Sequence, residues 1–388
     1  MRVLAAWLRR PFGAALAAFL ALRLLSSGLA ALTATLAPVW IEVEAPHDPA
    51  LLAQLEEGGR MLQLLAAPWY RWDTVNYIEI AQHGYANQQN TIWPPLYPLL
   101  IRAGMGLGLH PLAAALLASN AAALGVFWLL YRLAAREWDA TRARRTLLAV
   151  VIFPTAFFLV AGYSESLFLL LAVGSLSAAR TRRWLLAGLL GAAATLTRHQ
   201  GIFLALPLAW EGLQTLPQTR RQLPQWLIGL GLPGLAMLGY GLYIHFGLGA
   251  DWPWQTLSAG WNQHLGWPWE GMIGNLRALL AGAPVGGGTL FFNLTLALLS
   301  IGMLIAGARR LPVSHSLLGW ALLLSVLVKV QNDGLLGATA RYALLIFPIF
   351  FVLGGLLKLR WVRLVWGLVS LLSQALLLAA FYWWAWVP

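Results

Sequence analysis

The chain has 388 residues, of which 60% are hydrophobic and 10% charged, with a formal charge of +12 and no cysteine. So apolar a composition lies outside the soluble globular range, and the apolar runs are long enough to cross a hydrocarbon core. Disulfide frameworks, thiolate catalysis and cysteine-ligated metals are excluded. The basic residues fall in short clusters between apolar segments, where they act as topology signals rather than as a nucleic-acid surface.

Taken in order, Arg2, Arg9 and Arg10 place the N-terminus in the cytoplasm ahead of a first span over about residues 11–38. That run is too long for a signal-peptide core and reads as retained. Residues 39–95 form the longest polar insertion and hold Glu42, Glu44, Asp48, Glu56, Glu57, Asp73 and Glu79, half of the fourteen acids. An acidic loop of this size is expected outside. Within it, 49–66 predicts an amphipathic helix using Leu51, Leu52, Leu55, Leu62 and Leu65. The segment Trp69 to Tyr85 follows, too polar to span and rich in rings that favour a membrane interface. It predicts a short helix on the extracytoplasmic surface, with Asp73, Asn76, Tyr77 and Ile80 on one face. Thr74, Ile78, Ala81 and Tyr85 give a second face that rests on lipid or on neighbouring helices.

Pro94, Pro95 and Pro98 then enforce a rigid turn, and the short apolar run 96–109 predicts a re-entrant or interfacial helix. Further spans are expected near 112–133, 146–162, 165–179, 184–197, 201–216, 225–247, 289–307, 315–331, 341–357 and 362–386. The whole reads as a single all-α integral membrane domain of about eleven spans. Clusters such as Arg132 to Arg145, Arg180 to Arg183, Arg220 with Arg221, and Arg309 with Arg310 mark cytoplasmic ends. A second large outer region, 248–288, carries Asp251, His264, Glu270 and several tryptophans. No internal repeat of the kind that builds two-fold transporters is visible.

With this threading, polar residues set in apolar sequence converge on the outer side: Asp73, Glu165, Arg198, His199, His264, and Arg341 with Tyr342. Charges at such depths are costly and face a polar cavity or each other. A carboxylate opposite Arg and His suits deprotonation of a hydroxyl and stabilisation of an anionic leaving group. Each also has a plainer reading. Asp73 suits a helix N-cap, Glu165 a buried pair with Arg198, His264 a hydrogen-bonded loop histidine and Arg341 a snorkelling anchor. His83, His245 and His315 are read as structural, Gly286 to Gly288 as linker, and no nucleotide-binding or hydrolase motif is present.

Several segments together resemble a known family. Arg71-Trp72-Asp73 with Ile80-Ala81 and Gly84-Tyr85, Trp93-Pro94-Pro95-Leu96-Tyr97-Pro98, Tyr163-Ser164-Glu165-Ser166, Thr197-Arg198 with Gly201, and Ala340-Arg341-Tyr342 ahead of Phe347-Pro348 look like the PIG-V family. That family includes the enzyme adding the second mannose of glycosylphosphatidylinositol anchors, together with shorter prokaryotic relatives. Ile92-Trp93-Pro94 stands where members often carry Phe-Phe-Pro. The resemblance implies a type C glycosyltransferase fold, a catalytic acid in the first outer loop, and a polyprenyl- or dolichyl-phosphate-mannose donor. Asp73 would be the base of an inverting transfer. Trp72, Asn76, Tyr77, Glu165, Arg198, His199, His264, Arg341 and Tyr342 would bind substrate, with Arg198, His199, His264 and Arg341 holding the lipid phosphate. No metal or other cofactor is implied. The composition fits a prokaryotic plasma membrane, where the acceptor would be another glycolipid, a glycan or a protein. A lipid-linked-substrate transporter or flippase, and an inactive scaffold, are the alternatives.

Overall fold

Pro11 occupies the first turn of the first long helix, α1 (Pro11–Leu36), where a missing amide hydrogen costs nothing because that donor has no intrahelical partner. The computed structural model describes residues 10–36, 51, 54, 57, 59–215, 220–282 and 287–384. Arg2, Arg9, Glu42, Glu44, Asp48 and Glu56 lie outside the described residues, as does much of the expected 49–66 helix; its described end is α2 (Gly59–Leu65).

The protein is almost entirely helical. Among the described residues the exception is one antiparallel pair, β1 (Gln263–Leu265) with β2 (Lys329–Gln331), in which His264 lies opposite Val330 and Leu265 opposite Lys329. Among the described residues, five helices are long and apolar enough to cross a membrane: Pro11–Leu36, Pro111–Glu137, Arg220–Gly247, Gly288–Gly307 and Arg360–Tyr382. A sixth arises if Thr339–Leu345 and Pro348–Leu356, bent by 84° at their junction, count as one.

Composition predicts about eleven spans, and the shortfall has a physical cause. Apolar runs near 146–162, 165–179, 184–197, 201–216 and 315–331 fold as pieces, such as Ala140–Val151, Glu165–Ala179, Trp184–Thr195, Ala205–Thr215 and Val313–Leu327. At about 1.5 Å per residue these fall short of a hydrocarbon core of roughly 30 Å. Polar and irregular joints between them, including the one around Pro154, are admissible at membrane depth only where protein buries them.

By their contacts the residues divide into two compact units, Met1–Ala86 with Tyr97–Ser166 and Leu356–Val387, and Asn87–Leu96 with Leu167–Gly355 and Pro388. In the first, α1 packs on the long helix Pro111–Glu137, on Ala140–Val151 and on Arg360–Tyr382. An aromatic cluster of Phe157, Phe158, Tyr163 and Phe381 fills its core, with ring centroids 4.4 to 5.9 Å apart. The broken helix at 152–162 leaves carbonyls without helical partners. Arg23 and Asn120 answer one of them, donating to the Val160 oxygen at 2.8 and 3.1 Å. In the second unit, Trp184–Thr195 packs along Leu223–Leu242. Buried tryptophans find acceptors there, Trp226 Nε1 on the Leu208 oxygen and Trp184 Nε1 on Gln222 Oε1, both at 3.0 Å.

Candidate functional site

The chain enters the central helix, α3 (Asp73–His83), through a turn in which the Thr74 amide donates to the Arg71 oxygen at 3.1 Å. Trp72 sits in that turn at φ 52° and ψ −126°. This is the region that a type II′ turn ordinarily gives to glycine. Holding a tryptophan there costs about 1–3 kcal/mol and needs surroundings that over-determine it. Arg71 supplies part of that constraint. Its buried guanidinium donates to the carbonyls of Ala67, Tyr70 and Tyr382 at 3.0 to 3.2 Å and lies over the rings of Tyr382 and Trp384. Burial lowers its pKa to about 10, so it stays charged at neutral pH. The Trp72 and Trp384 rings meet at 5.3 Å.

Asp73 is the first residue of the helix, and Trp72 is its N-cap, without a side-chain capping bond. The capping role open to Asp73 from sequence is therefore not the one it takes. Three consecutive residues of the segment before Glu165 hold this first turn. The Asp73 amide donates to the Tyr163 hydroxyl at 3.3 Å, Thr74 Oγ1 donates to the Gly162 oxygen at 3.2 Å, and the Tyr77 hydroxyl and Ser164 Oγ lie 2.7 Å apart. Gly162 is dictated by contact, because a Cβ there would come within 2.7 Å of Thr74 Cγ2 and 3.0 Å of its Oγ1.

Of the two surroundings expected for the apolar face of α3, lipid or neighbouring helices, the burial of the helix fits the second. Thr74, Val75, Tyr77, Ile78, Ile80 and Ala81 are all buried. Asp73, Asn76 and Glu79 remain as a half-buried polar stripe along the other side. Tyr77, expected to bind substrate, instead faces inward onto Ser164 and packs edge-on against Tyr97 at 4.9 Å. Glu165 is fully buried at the start of the helix Glu165–Ala179. Trp72, half-buried, keeps a position beside Asp73.

The second unit gathers the cations. Arg198 and Arg341, each buried, lie with their guanidinium carbons 4.9 and 5.9 Å from the centroid of the Tyr342 ring, and Lys329 Nζ approaches the same ring at 5.9 Å. Gly201 admits the turn carrying Arg198, since a Cβ would strike the backbone of Ala194 and Thr195 at the end of Trp184–Thr195. Three positive groups on one ring form a basic cluster suited to an anion with several acceptor oxygens.

His199 differs from its expected part. Its Nε2 lies 3.0 Å from the Ile92 oxygen, so that nitrogen carries the hydrogen and donates. Burial first, and then Lys329 and Arg198, push its pKa down to about 4, leaving a neutral ring. Nδ1 is then a buried acceptor with no hydrogen-bond partner among the described residues, the wrong polarity for a phosphate oxygen and the right one for a hydroxyl. His264 takes its plainer reading: Nδ1 meets Asn332 Oδ1 at 3.1 Å and Nε2 meets Glu270 Oε1 at 3.3 Å, bracing a loop.

Sequence reasoning passed over Tyr163, Glu79 and Lys329. Tyr163 begins a motif already singled out and Glu79 lies two turns along from Asp73. Lys329 could have been noticed as one of only two lysines in a chain otherwise using arginine. Among the described residues, no three His, Asp or Glu side chains gather as a metal site.

A family profile described as "Mannosyltransferase (PIG-V)" matches residues 19–215, just over half of the chain. The match contains Asp73, Gly162 to Glu165, Arg198 and His199. The rat (Rattus norvegicus) GPI alpha-1,6-mannosyltransferase 2 is 30% identical over 166 residues, which cover 40% of this chain and 34% of that protein. The human (Homo sapiens) protein of the same name is 32% identical over 142 residues, covering 34% and 29%. GPI mannosyltransferase 2 of Chaetomium globosum is 32% identical over 183 residues, covering 38% and 39%. The matched stretch thus spans between 29% and 39% of the length of these curated relatives. No solved structure matches the chain.

Proposed function

The chain belongs to the PIG-V mannosyltransferase family, and from that premise we propose that it moves mannose from a polyprenyl- or dolichyl-phosphate donor to a hydroxyl of a glycolipid, glycan or protein. In this reading the chemistry lies on the extracytoplasmic face, within a type C glycosyltransferase fold, and the distribution of arginines supports that orientation. The observation that carries the reading is Asp73, a carboxylate at the head of a helix otherwise packed into protein, at a backbone position held by a strained tryptophan and three hydrogen bonds.

In this reading Asp73 takes the proton from the acceptor hydroxyl as its oxygen attacks the anomeric carbon of the mannosyl group. The bond from that carbon to the phosphate oxygen breaks with inversion, and the pair of electrons leaves with the lipid phosphate. Asn76, on the same half-buried stripe, orients a sugar hydroxyl, and Trp72 offers a ring face. The cations around Tyr342 suit the phosphate, whose charge rises as the bond breaks. Lys329 joins Arg198 and Arg341 in that role, and His199 accepts a hydroxyl. Tyr77 and Glu165 act from behind, as supports.

The test is transfer of radiolabelled mannose from polyprenyl-phosphate mannose to an endogenous lipid extract by the purified protein. Labelled product is expected. A folded protein giving none with this and other lipid-phosphate sugars would overturn the reading. Arg341→Gln and Lys329→Gln should each raise KM for the donor and lower kcat.

A further inference from the structure

The helix α12 (Glu270–Leu280), in the second outer region, carries an exposed apolar face that the proposed chemistry does not use. Counting helices from the N-terminus, α4 (Leu96–Gly106), α5 (Pro111–Glu137), α6 (Ala140–Val151), α7 (Glu165–Ala179), α8 (Trp184–Thr195), α9 (Ala205–Thr215), α10 (Leu223–Leu242) and α11 (Pro253–Trp261) precede α12 (Glu270–Leu280). One face of α12 is fixed. Asn275, fully buried, donates through Nδ2 to the Leu290 oxygen in the first turns of α13 (Gly287–Gly307) at 3.0 Å and accepts from the Leu336 amide at 2.8 Å. Glu270 anchors the N-terminal end, accepting from the Trp267 amide at 3.1 Å and meeting His264.

The opposite face is left outward. At about 100° per residue, Ile273, Leu276 and Leu280 continue the line of Trp269 within an arc of roughly 60°, turned away from Asn275. Leu280 is 80% exposed, Trp269 55% and Trp267 67%, and the two tryptophan rings stack at 5.1 Å. Arg277 and Glu270 border the arc on one side.

Chain connectivity names what covers this face. The helix hangs between two candidate spans, Arg220–Gly247 and Gly288–Gly307, and packs directly on the end of the second. On that span Phe291, Leu298 and Ile305 form an outward stripe at seven-residue intervals, as a lipid-facing surface requires. α12 is bonded to the first turns of that span through Asn275. An aliphatic arc flanked by tryptophans and edged by charge, held at the end of a span, has the composition of an interfacial helix.

We infer that α12 is a membrane-surface helix whose Trp269, Ile273, Leu276 and Leu280 face sinks into the headgroup boundary of the bilayer, holding the outer region of the second unit against the lipid. The inference is independent of the catalytic reading.

The absence of cysteine makes the test direct. Single cysteines replace Ile273, Leu276 or Leu280, with Leu298→Cys as the lipid reference and Arg310→Cys, beyond the other end of the span, as the water reference. Each full-length protein is nitroxide-labelled and reconstituted in phosphatidylcholine–phosphatidylglycerol vesicles, and collision with oxygen and with a nickel chelate is compared. At the three α12 sites oxygen accessibility should approach that at 298, and nickel accessibility should fall about fivefold or more below that at 310, as burial at the headgroup boundary demands. Nickel accessibility equal to that at 310 would overturn the inference, as would dipolar broadening between copies that vanishes on dilution with unlabelled protein. As a second measurement, Trp267→Phe with Trp269→Phe should reduce quenching of the protein's fluorescence by brominated lipid; unchanged quenching would contradict it.

Discussion

α3 and α12 are both eleven-residue helices preceded by tryptophans, yet one is enclosed by protein and the other presents its apolar arc outward. The difference lies in what each helix is given to bond. α3 meets the irregular 162–164 segment, whose glycine allows close approach and whose carbonyl, phenol and hydroxyl answer three positions on its first turns. α12 has one buried asparagine as its inward anchor, opposite the apolar arc. Short amphipathic helices in a membrane protein thus sort by hydrogen-bonding partners rather than by their own apolarity. The enclosed one can hold a carboxylate in fixed geometry, and the outward one can only lean on a surface.

The widest separation between the two should come from the same kind of substitution made in each. Ile78→Gln places an amide in the enclosed helix, where the residue is 1% exposed, and should cost about 3 kcal/mol from lost burial and an unmet amide. Leu276→Gln on the outward arc should stay within about 0.5 kcal/mol in detergent. Unfolding in mixed detergent micelles measures both, and equal losses would end the comparison. Gly162→Ala sharpens it at the contact itself. The new methyl pushes on Thr74, so about 1–3 kcal/mol of stability and a larger share of activity should go together. Tyr77→Phe removes one hydrogen bond to Ser164 and should cost roughly 1 kcal/mol, with kcat falling more than KM rises if the bond positions Asp73.

A further effect, seen only at acid pH, concerns His199. Its folded pKa is depressed to about 4 from an ordinary 6.5, so the unfolded chain takes up the proton first. The stability this ring contributes is full above pH 6.5 and is lost as pH falls toward 4. His199→Gln should therefore flatten the acid limb of a melting-temperature profile between those values. An unchanged slope would mean that the ring is not held neutral.

Much of the site was legible from sequence because chemistry-bearing residues are rare in so apolar a chain. Asp73, Arg198 and Arg341 stood out by type alone, and the helix from Asp73 was readable from its spacing. Its burial was not, since nothing local in Thr74 or Tyr77 announces partners at 162 and 164. The number of spans was not legible for a related reason. An apolar run such as 184–197 looks the same whether it crosses lipid or is a short helix inside protein, and only its packing decides. Lys329 was missed because it comes to Tyr342 through the pairing of β2 with β1, and a three-residue strand leaves no period to read. His199 reads from sequence as a phosphate contact, and only the Ile92 carbonyl reveals the neutral ring that donates to it.

The central claim is that Asp73 is the base of a sugar transfer. The direct measurement is the steady-state rate of mannose transfer from polyprenyl-phosphate mannose by wild-type protein, Asp73→Asn and Asp73→Glu, each checked for an unchanged melting temperature. The account predicts that kcat for Asp73→Asn falls by about 10²–10⁴-fold, with partial recovery in Asp73→Glu. Full transfer by a folded Asp73→Asn protein would contradict it.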